Sequence, residues 1–252
     1  MAARRSATDW AGVAAFGLVS CGTAALGTWQ AQRFQWKREL IAAREAAIAR
    51  PAVAWRDARV GDAGAEDDDA RACEKVRLRG EFAYEQSMLV GPRSAPAGSK
   101  GASGALAASG FVVVTPFRDA ESGQRLLVNR GWVPRAQADL GTRRLRPAGE
   151  PEAFEAVRSA SERAGAFTPD SNAAQGSWFT LDAPAMAAAR DLPEDTPLVE
   201  RIDAAGDPIV SRNSDSLLVF KVNPATHVGY AATWYGLSAA SLYMIRKRFF
   251  RR

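Results

Sequence analysis

Two stretches of this chain carry no formal charge over the length of a membrane crossing, and they stand near its two ends. Trp10 to Gln32 lacks Asp, Glu, Lys and Arg, and so does Val222 to Ile245, whose one titratable group is His227. As helices they are about 34 and 36 Å long at roughly 1.5 Å per residue, enough for a hydrocarbon core of roughly 30 Å. Between them the pattern changes. Lys75–Phe82 alternates, with Val76, Leu78 and Phe82 on one side and Arg77, Arg79 and Glu81 on the other, the signature of a half-buried strand. Ser87–Val90 is a candidate to pair with it. Gly110–Phe117 and Arg125–Val133 are β-rich runs around Arg118–Gln124, where Asp119 and Gly123 suit the turn of a hairpin. Further strand candidates are Glu152–Val157, Ser177–Leu181, Leu198–Ile202 and Ser216–Lys221. Asp182 followed by Pro184 opens a short helix over Ala183–Arg190.

These elements predict an α+β membrane protein, with two transmembrane helices flanking a mainly antiparallel β domain that has minor helix. The divisions expected are a tail over 1–9, the first membrane helix over 10–32, a helical linker over 33–50, the β-rich domain over 51–221, the second membrane helix over 222–245 and a basic tail over 246–252. The Ala-, Glu- and Arg-rich linker is expected to continue the first helix into water. Pro92–Ser109 and Gly61–Asp69 read as solvated loops. A cleaved signal peptide is the alternative for the first stretch, but its apolar run is long and Leu26-Gly27-Thr28-Trp29 is a poor cleavage site, so retention is expected.

Charge refines topology more than partners. The net charge is +5 over 252 residues, but the basic residues gather at the membrane borders and no aromatic-basic platform for nucleic acid is present. Arg246-Lys247-Arg248 with Arg251 and Arg252 is the densest basic run, while Glu39 and Glu45 dilute the cluster after the first helix. Both termini are therefore expected inside, with the domain on the outer face. Cys21 and Cys73 form no disulfide framework.

The candidate chemistry is sparse. A single histidine excludes a histidine-based acid–base pair or a His/Cys metal cage in the domain, and no phosphate loop or nucleophile elbow appears. No enzyme activity is expected. His227, Tyr230 and Trp234 lie at i, i+3 and i+7 on one helical stripe, and Trp29, Gln30, Arg33 and Trp36 stand where the first helix leaves the membrane. An imidazole with aromatic faces and an arginine suits a haem: the ring ligates iron and the guanidinium pairs with propionates. Interfacial aromatic belts and helix-to-helix hydrogen bonding account for the same residues equally naturally. Arg130, Gly131 and Trp132, in the run Leu127–Pro134, are either a docking surface or a structural strand end.

Taken in order, LGTWQAQRFQWKRELI, RGEF, VGPR, GFVVVTPF, LVNRGWVP and the run His227 to Ala240 make the chain resemble the Surfeit locus protein 1 family, in its mitochondrial branch. The resemblance implies an assembly factor for cytochrome c oxidase that assists haem a insertion into the largest oxidase subunit or stabilises that subunit. It implies a mitochondrial inner-membrane protein with termini in the matrix and the domain in the intermembrane space, or a bacterial plasma-membrane protein with a periplasmic domain. The partners expected are the largest oxidase subunit, other assembly factors and membrane lipid. Haem a is expected transiently on His227, with Tyr230, Trp234 and Arg33 shaping the pocket, and Arg130, Gly131, Trp132, Trp29 and Gln30 contacting partners. The alternative is a membrane scaffold that binds no haem and holds oxidase assembly intermediates.

Overall fold

The computed structural model describes residues 7–58, 73–96, 109–139, 150–203, 209–218 and 224–250. The loop candidate Gly61–Asp69, most of Pro92–Ser109, Arg251, Arg252 and the start of the second apolar stretch lie outside them. The chain divides into two units, Met1–Ala42 with Phe220–Arg252, and Ala43–Val219.

The first unit is helical. Helix α1 runs unbroken over Ala7–Ala49, so the first apolar stretch and the linker are one 43-residue helix, whose last turns belong to the second unit. No Pro or helix-breaking pair interrupts it, and Ala, Glu, Arg and Leu after Gln32 are strong helix formers. Helix α3 spans Pro224–Ile245, beginning with a proline at its start, where the missing N–H costs nothing. A π-helical turn over Arg246–Phe250 follows. Of the two membrane spans expected, the described residues contain one helix long and apolar enough, Trp10–Ala49. Helix α3 has no Asp, Glu, Lys or Arg but is diluted by Gly229, Thr233, Gly236, Ser238, Ser241 and three tyrosines, and falls short of the same apolarity.

The second unit is a seven-stranded sheet with the order β1-β2-β6-β7-β5-β4-β3. Its strands are β1 (Val53–Ala54), β2 (Lys75–Phe82), β3 (Met88–Ser94), β4 (Ser109–Asp119), β5 (Arg125–Pro134), β6 (Glu152–Arg158) and β7 (Leu198–Ile202). A further pairing of β2 with β4, Phe82 opposite Phe117, closes β2, β6, β7, β5 and β4 into a barrel-like ring. Most pairings are antiparallel; β1–β2 and β5–β7 are parallel.

Strand β2 alternates as its sequence does, with Val76, Leu78, Gly80 and Phe82 buried. The β4–β5 hairpin forms as expected: Asp119 accepts from the Ser122 N–H at 2.8 Å, and Gly123 takes φ +70, where a side chain is disfavoured. Residues of Ser87–Val90 pair with β4 rather than β2. Ser177–Leu181 makes only isolated bridges, Ser177 to Asn172 and Trp178 to Val90. The described part of Ser216–Lys221 is the end of a 3-10 turn, Ser214–Leu218, not a strand. Helix α2, Ala183–Ala188, is capped by Asp182, whose carboxylate accepts from the Ala185 N–H at 3.2 Å.

Inside the ring, Phe82, Phe117 and Phe154 pack ring to ring with centroids 4.7 to 5.4 Å apart, among Val76, Leu78, Leu126, Val128 and Val199. The opposite face of β5 packs Leu127 with Met88, Val114, Trp178 and Met186 of α2. A smaller cluster joins Ala47 and Ile48 at the end of α1 to Cys73, Val157, Ile202 and Leu217.

Candidate functional site

The partners of α1 in α3 fall in number as those in α1 rise, so the helices run antiparallel. Ser241 donates to the Phe16 carbonyl at 2.8 Å. Ser238 donates to the Ser20 carbonyl at 2.9 Å, and Ser20 reaches the Ser238 carbonyl at 3.1 Å. Thr28 and Tyr235 join hydroxyls at 3.1 Å. Gly27 allows the close approach: a Cβ there would stand 2.9 Å from the Tyr235 ring. Small residues and hydroxyls at the contact suit helices that pair in lipid. Outside the contact the pair is apolar, with Leu18, Val19, Leu26, Leu237, Leu242 and Met244 exposed.

His227 lies at the other end of this ladder. Its Nδ1 is 2.8 Å from Oε1 of Gln30, and among the described residues the ring has no other hydrogen-bond partner. Arg33 stands three residues after Gln30, one helical turn on, with its guanidinium 4.0 Å from the centroid of the Trp36 ring. Tyr230 and Trp29 are exposed, and Trp234 is half-buried. The structure therefore joins His227 to Gln30 and leaves Tyr230 and Trp234 on the same stripe of α3. Arg33 stacks on Trp36. A half-buried imidazole with one nitrogen engaged and the other without a partner among the described residues has the chemistry that would hold a haem iron. The described residues hold no cluster of three or more His, Cys, Asp or Glu that could cage a bare metal ion.

Of the two readings of the motif Leu127–Pro134, a docking surface and a structural strand end, the side-chain burial favours the second. Val113 pairs with Gly131 and Val114 with Asn129, so Arg130 is the extra residue of a bulge. Gly131 sits at φ +124, and its N–H donates to Oδ1 of Asn129 at 3.0 Å. The bulge turns Arg130 into the barrel, where it is 1% exposed with its guanidinium 4.8 Å from the Tyr84 ring centroid and 5.5 Å from that of Phe82. Trp132 is 5% exposed and donates from Nε1 to the Arg93 carbonyl at 3.1 Å. Arg130 and Trp132 therefore build the strand's packing, and their side chains do not form an exposed face.

Arg130 adjoins a buried polar constellation that the sequence reading does not single out. The Tyr84 hydroxyl donates to Oε2 of Glu152 at 3.0 Å, and Arg201 lies 2.7 Å from Oε1 of the same carboxylate. The Arg201 guanidinium also stands 5.3 Å from the Phe154 ring centroid. Burial first, and the Glu152 charge second, push the Tyr84 hydroxyl up to about 12. Asn129, Gly131 and Trp132 line a cleft of about 280 Å³ with Glu162, Glu200 and Arg212. Glu162 pairs with Arg93, and Glu200 with Arg212 at 3.2 Å. Burial raises the Glu200 carboxyl above its ordinary range, against the pull of Arg212.

Residues 17–239 match the model of the SURF1 family. The chain belongs to the SURF1 family. It is 34% identical to a SURF1-like protein of Monosiga brevicollis, over 88% of this chain and 81% of that one. It is 32% identical to Surfeit locus protein 1 of Homo sapiens, over 90% of this chain and 73% of the relative. Identity to Surfeit locus protein 1 of Arabidopsis thaliana is 32%, over 69% of this chain and 60% of the relative. The match to the SURF1 model spans the helix contact at Ser20 and Ser238, the His227–Gln30 bond, the β5 bulge and the Tyr84–Glu152–Arg201 constellation.

Proposed function

We infer that this protein is an assembly factor for cytochrome c oxidase that handles haem a on its way into the largest oxidase subunit. It acts in the mitochondrial inner membrane, or the bacterial plasma membrane, rather than as an enzyme. The observation that carries this reading is the His227–Gln30 bond, which holds an imidazole at the contact of α1 and α3. His227 would hold a bound haem through the nitrogen that Gln30 leaves free, and the haem would supply the redox-active iron. His227 ligates, Tyr230 and Trp234 offer flat apolar faces from the same stripe of α3, and Arg33 offers a guanidinium for a propionate.

Insertion of both helices into a membrane is supported by the exposed apolar side chains on α1 and α3. The hydroxyls of α3 face α1 at Ser238 and Ser241, where they are hydrogen-bonded, so the lower apolarity of α3 falls partly on its covered side. The basic run Arg246, Lys247 and Arg248 supports an inner-side position for the end of α3, and a second crossing by α1 would return the start of that helix to the same side. The β domain then faces the intermembrane space or periplasm, beside the largest oxidase subunit and other assembly factors.

The test is an absorption spectrum of the detergent-purified chain produced with haem a synthesis, beside His227→Ala. A Soret band in the parent, lost in the variant together with oxidase maturation in cells lacking their own copy, is expected. A featureless parent spectrum with normal oxidase maturation by His227→Ala would reject the haem reading in favour of a scaffold.

A further inference from the structure

The ring of His227 has two nitrogens, and the structure gives them different fates. Oε1 of Gln30, 2.8 Å from Nδ1, can only accept. An acceptor at Nδ1 favours the neutral-ring tautomer with its proton on that nitrogen and the lone pair on Nε2. A metal-ligating imidazole is commonly held in this way, with one nitrogen donating to an oxygen that fixes the tautomer and the ring plane.

We propose that Gln30 is a positioning residue for His227, locking the Nδ1–H tautomer so that Nε2 is presented to iron; this rests on the haem-handling reading above. Gln30 sits on α1 and His227 on α3, in the same helical unit. Three further contacts hold the register between those helices, at Ser241–Phe16, Ser238–Ser20 and Thr28–Tyr235. The tautomer is thus set by helix pairing rather than by a flexible local loop. The amide oxygen of Gln30 is turned to the histidine, an internal contact added to the partner-contact role expected of this residue.

The chain's single histidine makes the proposal directly readable, because histidine labelled with ¹⁵N yields one pair of ring nitrogens. Three full-length proteins are compared in detergent: the parent, Gln30→Leu, which removes the acceptor, and Gln30→Glu, which strengthens it. His227→Ala is the control for ligation, and the helical circular dichroism of each variant checks that it folds. The parent's neutral ring is expected to show a protonated Nδ1 and a bare Nε2. Gln30→Leu is expected to lose that preference and to bind ferric haem b roughly 10–100-fold more weakly. Gln30→Glu is expected to keep both tautomer and affinity, and to lower the reduction potential of the bound haem by making the imidazole more electron-rich.

A parent ring protonated at Nε2 overturns the proposal. So does a Gln30→Leu protein with the parent's tautomer, affinity and potential. In both cases loss of binding in His227→Ala leaves the haem reading standing. A parent that binds no haem overturns both the reading and the proposal, and the ring spectrum then shows whether the Gln30 bond exists without that role.

Discussion

The hydroxyl of Tyr84 and the carboxylate of Glu152 meet at 3.0 Å in a barrel interior of mostly phenylalanine and aliphatic side chains, with Arg130 beside them. Arg201 neutralises the same carboxylate from its other oxygen. The trio is self-consistent only when complete, because each member is buried and removing one leaves a polar group in a medium that cannot solvate it. Glu152→Gln should therefore destabilise the domain by about 3–5 kcal/mol, the range for breaking a buried pair and stranding its partner charge. Urea unfolding followed by the fluorescence of buried Trp55, Trp132 and Trp178 measures it. A loss below about 1 kcal/mol, typical of exposed pairs, would contradict the account.

Tyr84→Phe should cost roughly 2 kcal/mol, the scale of a hydrogen bond to a charged acceptor. It should also change the alkaline limb of stability. The folded Tyr84 hydroxyl is pushed up to about 12, above its usual 10, so the folded state holds its proton while the unfolded chain releases it. The parent is then fully stabilised below about pH 10 and loses that contribution as pH rises toward 12. The difference in unfolding free energy between parent and Tyr84→Phe should shrink over that interval. A constant difference would show that the proton is not coupled to folding.

Glu200 behaves in the same sense at the acid end. Its raised carboxyl retains a proton in the folded state after the unfolded chain has lost one, so its contribution is greatest below the ordinary value of 4.5 and declines as pH rises through the raised value. Glu200→Gln should flatten that decline. Arg212→Ala removes the one attraction that lowers the carboxyl, so it should carry the decline to higher pH. Denaturation midpoints from pH 4 to 7.5 in parent and variants report both effects, with an Arg212→Ala curve superposable on the parent as the contrary result.

Gly131→Ala places a Cβ 2.5 Å from the Val210 carbonyl, at a φ of +124 that alanine avoids. The conformational strain alone is worth roughly 1–3 kcal/mol. Because Trp132 follows directly and pairs with Val210, the fluorescence of the variant should shift toward that of a wetter indole. Stability and emission identical to the parent would refute the bulge as described.

Between the helices, Ser20→Ala and Ser238→Ala should couple in a double-mutant cycle by about 0.6 kcal/mol and no more than roughly 1.7 kcal/mol, as polar contacts in membrane helix pairs do. Unfolding in mixed detergent with SDS supplies the four free energies. Strict additivity would mean the two hydroxyls do not meet.

How far these features could be read in advance depends on what each residue's neighbours reveal. Lys75–Phe82 is plain because one face is wet and the other dry, and its strand begins and ends where the alternation does. The pairing of Met88–Val90 with β4 is not plain, since alternation specifies a face and never a partner. Arg130 reads as surface because arginine usually is. The bulge that turns it inward is carried by Gly131, which gives a local hint but no direction. Glu152 shares the inward parity of Phe154 and Ala156, so its burial was legible in the alternation of β6. Arg201 was not, because nearly every position of β7 is covered. On the helices, periodicity places Tyr230 and Trp234 beside His227 along α3. Only the pairing register reveals that Gln30 is the residue across from it.

The sheet's wiring has one consequence for biosynthesis. Strand β7, last of the seven to be translated, lies between β6 and β5 and joins them. A polypeptide released by the ribosome before Leu198 would therefore present two adhesive borders at once, each with unclaimed backbone donors and acceptors. Premature termination late in the reading frame should consequently yield a species prone to self-association and swift proteolysis rather than a shortened working factor. The same wiring means that synthesis of most of the domain must finish before its ring can close.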